Sequence, residues 1–188
     1  MDNEQQDSID NPGESKRPSY PSAHVLLQCA WDEYTKERER SQFLDSKASF
    51  FMSAVVLVAT VFVPMIPFEG IRNVLMGTLS WLSIAVTVLT IFLITSFIIL
   101  ALAFKALYDG YNIRSYKRFN PDNLFKRDLM GLPEDCVSGS IAIDYGKTIK
   151  KNAKRNNNKS KRIKKGIRLS AVGFLLLALS TMLLKVII

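Results

Sequence analysis

From Val74 to Phe104 the chain carries no charged side chain: "VLMGTLSWLSIAVTVLTIFLITSFIILALAF". The run is longer than the ~20 apolar residues that cross ~30 Å of hydrocarbon at 1.5 Å per residue. It predicts a tilted span, or one continued as helix past the bilayer. A second uncharged run, Ala48 to Phe68, is ended by Pro64 and Pro67. A third, Gly166 to Ile188, holds only Arg168 and Lys185, one near each end, where long stems carry charge to the interfaces. Three such runs predict an all-α integral membrane protein with three transmembrane helices and cytoplasmic helical extensions.

The formal net charge of +8 is concentrated rather than spread. Lys36, Arg38, Arg40 and Lys47 precede the first span, and a dense basic run from Lys147 to Arg168 precedes the third. By the positive-inside rule both segments are cytoplasmic, which places the N-terminus inside. Cys29 and Cys136 are far apart, without metal-ligand spacing, and His24 is the only histidine. Both thiols are expected to be reduced in a cytoplasmic setting, and no metal site is expected.

The chain divides into five parts. Residues 1–22 are polar, acidic and broken by prolines, a disordered tail. Residues 23–68 read as an amphipathic helix continuing into span one, and residues 74–118 as span two with a cytoplasmic extension weakened at Gly110. Residues 119–140 are a connector punctuated by Pro121, Gly131, Pro133 and Gly139, with a short helical turn at "PDNLFKRDL". Residues 141–188 read as a basic helix, capped by Ser138 or Ser140, that runs without a stop into span three.

Two features stand out on these helices. Asp45 and Lys47 lie on the seam where "RERSQFLDSKASFF" passes from charged to apolar. Lys47 can reach lipid phosphates, but Asp45 is repelled by them and needs a cation. Lys164, Lys165 and Arg168, at the same cytoplasmic boundary, are the candidates, with Lys47 or Lys36 as local alternatives. On the last helix Tyr145, Ile149, Asn152, Asn156, Ser160, Ile163 and Ile167 recur at spacings of three and four. The polar middle of that seam either fixes register or meets a polar ligand, with a solvated basic helix touching anionic headgroups as the plainer reading.

Within the spans, Ser80, Ser83, Thr87 and Thr90 form one stripe, and Gly166, Ser170 and Gly173 another. Small and hydroxylated stripes serve helix contacts in lipid, within a chain or between copies. No Asp, Glu, Lys or His lies mid-span, which argues against a charged ion pathway. There is no glycine-rich phosphate loop, HExxH, CxxC or Ser/His/Asp set, so no enzyme is expected and no cofactor is called for. Charge alone does not support nucleic-acid binding.

"ERERSQFLDSKASFFMSAVVLVATV" resembles the first-span approach of small bacterial transmembrane antiphage effectors, the Pycsar transmembrane effectors and related SLATT-type proteins. The shared step is Asp45, Ser46, Lys47, Ala48, with Arg40 upstream. The helix bearing Asn152, Asn156 and Lys159 before the last span is similar to the same family's. The resemblance implies a homo-oligomer that impairs inner-membrane integrity when signalled. The signal would be a cyclic nucleotide messenger or a partner protein, and the sensor or cyclase would be encoded nearby. It makes Asn152, Asn156 and Lys159 candidate ligand residues. Charge placement at the membrane boundary points to Arg40, Asp45, Lys47, Lys164, Lys165 and Arg168 for gating, and the small-residue stripes to Ser83, Thr87, Thr90, Ser170 and Gly173 for oligomer packing. The alternative is a non-enzymatic structural or accessory membrane protein, a subunit of a larger complex.

Overall fold

The computed structural model describes residues 19–77, 80–113, 118–119 and 131–188. The short helical turn expected at residues 121–129, and most of the tail at 1–22, lie outside them. The described residues form four α-helices and a 3-10 turn.

Helix α1 runs unbroken over Ala23–Phe62. No proline or glycine interrupts it, so charged and apolar halves share one rod of about 60 Å at 1.5 Å per residue. It ends in a 3-10 turn, Val63–Met65, that contains Pro64. Helix α2, Phe68–Met76, follows and buries Ile71. Span two therefore does not begin at Val74: Val74 to Met76 belong to this separate short helix. Helix α3, Trp81–Tyr111, opens on a capping box, in which the Ser80 hydroxyl accepts from the Ser83 N–H and Ser83 Oγ accepts from the Ser80 N–H, both at 3.3 Å. The two serines satisfy donors that would otherwise be orphaned at the helix start. Helix α3 stops at Tyr111 and does not continue to residue 118. Gly110 lies inside it, buried, where a Cβ would stand 2.8 Å from Ile163 Cγ1. It marks a close approach rather than a weak point.

Helix α4 spans Glu134–Ile187, 54 residues. It begins just after Pro133, several residues before Ile141, with Glu134 and Asp135 in a first turn that favours negative charge. Ser138 and Ser140 are inside the helix and cap nothing. At about 80 Å, α4 is more than twice the hydrocarbon thickness.

Helix α4 is the centre of the bundle. It lies parallel to α1, with Ala23 near Gly139 and Asp45 against Lys159. It lies antiparallel to α3, with Leu107 against Gly166 and Leu100 against Gly173. The core runs from Leu44 and Ala48 through Val86, Leu93, Leu100 and Leu107 to Ile163, Leu177 and Leu184. Large apolar side chains such as Leu57, Ile91, Ile98, Leu175 and Met182 point outward. In water these faces would be a liability; in lipid they are solvated. Three helices are long and apolar enough to cross a membrane.

Candidate functional site

The buried face of α4 reads, in order, Tyr145, Thr148, Asn152, Asn156, Lys159, Ile163, Gly166, Ser170 and Gly173. Steps of three and four keep these residues on one stripe. Aromatic and polar groups fill its N-terminal half. Small and apolar ones fill the half that crosses the membrane.

At the N-terminal end of this stripe the Tyr145 ring packs edge-on to Tyr34 at 5.2 Å and to Trp31 at 5.8 Å. Phe119 stacks on the other side of Tyr145 at 4.5 Å, and its N–H donates to the Tyr34 hydroxyl at 3.4 Å. Burial, with Tyr34 adding to it, pushes the Tyr145 phenol above its ordinary value.

Further along the seam, Asn156 Nδ2 donates to the Glu37 carbonyl oxygen at 2.9 Å and to Glu37 Oε2 at 2.7 Å. Glu37 also accepts from Arg40 at 3.1 Å, and Arg40 reaches across to Asn157 Oδ1 at 2.7 Å. This four-residue network ties α1 to α4 with charge-assisted bonds. Lys159 follows, only 4% exposed, with its ammonium on the Asp45 carboxylate. A buried ammonium needs such a partner, because desolvation without one costs several kcal/mol.

Asp45 thus pairs with Lys159, not with Lys164, Lys165 or Arg168. Those three are exposed on other faces of α4, and Lys47 is exposed on α1. Depth along α4 had suggested them, but orientation around the helix excludes them. Asn152, Asn156 and Lys159, the expected ligand residues, are 1%, 3% and 4% exposed. Asn156 and Lys159 are committed to α1, and the stripe is a helix seam rather than an open ligand surface. Ser160, read as a seam residue, is displaced from it by Lys159.

In the spans, Gly166 and Gly173 admit α3. A Cβ at Gly166 would sit 2.6 Å from Leu107 Cγ, and one at Gly173 2.7 Å from Leu100 Cδ2. Ser170 bonds its own helix at the Gly166 carbonyl, 2.9 Å away. This stripe packs within the chain. On α3, Ser83 is buried, Thr90 half-buried and Thr87 exposed, and both threonines donate to carbonyls one turn back at 2.7 Å.

Sequence reading alone missed the aromatic cluster and the bond from Asn156 to Glu37, though Glu37 and Arg40 stand at pairing distance along α1 and do pair. Trp31, Tyr34 and Glu37 do recur at three-residue steps, a signal that was present. Phe119 lies beyond any helical pattern and had none.

No curated protein and no solved structure matches the chain. A family model described as the Pycsar effector protein domain matches residues 29–184, which takes in all three spanning helices and both buried polar contacts. The chain belongs to the Pycsar effector proteins and is a multi-pass transmembrane antiphage effector.

Proposed function

We propose that the chain is a signal-gated effector that oligomerises in the bacterial inner membrane and impairs its integrity without catalysing a reaction. The observation that carries this is the pair of buried polar contacts, Glu37–Asn156 and Asp45–Lys159, directly before the spans. Buried charge and amide contacts have discrete made and broken states, so a signal that favours one of them shifts the packing of the helices below. The N-terminus and the segment from Lys105 to Arg168 face the cytoplasm, because basic residues cluster before the first span and along the first part of α4. A cyclic nucleotide made by a cyclase encoded nearby is the expected signal.

Copies would meet on the outer face of α1 and α3. A groove of about 600 Å³ there is lined by Ser49, Ser53 and Thr60 together with Phe104 and Tyr108. Small side chains facing lipid allow close helix approach, which apolar burial alone does not drive there.

Expression with and without the neighbouring signalling gene, followed by growth and a membrane-potential dye, tests the reading. Growth arrest with loss of potential only when the signal is made is the expected result. Unimpaired growth and potential with the signal present would refute it.

A further inference from the structure

Beside the seam, α1 and the chain just after α3 enclose a cavity of about 500 Å³ lined by Tyr34, Arg38, Ser41, Gln42, Asp45 and Arg118. Its size is that of small-molecule sites. Five of the six residues come from α1, and Tyr34, Arg38, Ser41 and Asp45 recur at steps of three and four with Gln42 beside them, so one helix face forms its wall. The sixth, Arg118, is held opposite by its neighbour. Phe119 is stacked on Tyr145 and bonded to the Tyr34 hydroxyl, which fixes the backbone that carries Arg118.

Charge decides what such a cavity takes. Among the described residues Asp45 is its only carboxylate, and Asp45 is committed to Lys159. Among the described residues no carboxylate pairs with Arg38 or Arg118. Two guanidinium groups therefore face a cleft that also offers the Ser41 hydroxyl and the Gln42 amide. Planar guanidinium forks match phosphate oxygens in bidentate fashion, and neutral donors complete the oxygen shell.

We propose that this cleft binds a phosphate group, bridged between Arg38 and Arg118. The chemistry is shared by a soluble phosphate ester and by a lipid headgroup, since Asp45 marks the boundary where α1 turns apolar. The bound anion repels the Asp45 carboxylate and attracts the Lys159 ammonium. It therefore loads the pair that joins α1 to α4. That consequence, though not the binding, rests on the gated-effector reading.

The test uses the full chain in phosphatidylcholine nanodiscs. Binding is followed by calorimetry with inorganic phosphate and with 5′- and 3′,5′-cyclic nucleoside monophosphates, and by a parallel measurement in discs containing phosphatidic acid. Saturable binding of a soluble phosphate, weakened about tenfold or more by Arg38→Gln and by Arg118→Gln, supports a soluble ligand. Binding seen only with phosphatidic acid, and lost in the same variants, supports a lipid headgroup. Lys150→Gln, a basic residue away from the cleft, should leave either unchanged. No saturable binding in any arm overturns the proposal, as does binding unaffected by both arginine variants. Thermal melts of the variants separate lost binding from lost folding. Binding that holds while growth arrest never depends on it upholds the site and refutes the gating reading alone.

Discussion

The Lys159 ammonium lies buried on the Asp45 carboxylate, joining the last helix to the first at the point where the first becomes apolar. The two sides of this pair are unequal. The Lys159 side chain is 5% exposed, that of Asp45 38%. Removing the acid strands a dry cation, whereas removing the lysine leaves a carboxylate that still reaches water. Asp45→Asn should therefore cost about 2–3 kcal/mol of bundle stability, and Lys159→Met clearly less. Melting of the full chain in detergent, with the double variant completing the cycle, checks this. Equal costs would show that the asymmetry in burial is irrelevant.

Three of the four glycines of α4, Gly146, Gly166 and Gly173, should differ in their response to substitution. At Gly166 and Gly173 a Cβ meets α3 side chains at under 3 Å, so alanine should cost about 1–3 kcal/mol and leucine more. Gly146 is exposed with nothing within 4 Å, and alanine there should gain about 0.5–1 kcal/mol through helix propensity. The same melts decide it. Destabilisation by Gly146→Ala would indicate a neighbour at that face.

Tyr145 gives the polar half of the bundle an alkaline limit. Burial raises its phenol above the ordinary 10.0, so the folded state holds the proton more tightly than the unfolded chain. The stability this gives is complete below the unfolded value, near pH ~10, and is lost as pH climbs through the raised folded value. A tyrosinate absorbance titration should show one late-titrating tyrosine that Tyr145→Phe removes. An unchanged late phase would assign it elsewhere.

Topology can be read from the thiols. Cys29 is exposed and Cys136 half-buried, both on the stretch proposed to be cytoplasmic. An impermeant maleimide should label neither in intact cells and Cys29 faster than Cys136 in inverted vesicles. Labelling from outside would reverse the proposed orientation.

The spans were legible because missing charge over so many residues has few other meanings. Their ends were harder. Val74–Met76 are as apolar as the span, and only the Ser80–Ser83 capping box in "SWLS" marks the true start. The seam of α4 was legible as far as Asn156. Beyond it, Lys159 was passed over for Ser160, because a lysine on a buried stripe looks wrong until its acid is known. That acid sits on another helix, more than a hundred residues away, at a level that only the parallel alignment of α1 and α4 reveals. The cleft at Arg118 depends on Phe119 docking from a non-helical segment, and no periodicity announces such a contact.

The order of groups along α4 has a consequence for sliding. Consider α4 displaced by one turn, about 5.4 Å, toward the far side of the membrane. Asn152 would arrive opposite Glu37 where Asn156 now bonds, and Asn156 would come level with Asp45. The watery half of the helix would find a second set of polar partners. The lipid half would not, because Ser170 would arrive at the place of Gly173, against Leu100, where an added Cβ would stand 2.7 Å from Cδ2. Translation of α4 is therefore vetoed by α3 alone, and any slip of the long helix must wait until α3 has drawn away from it.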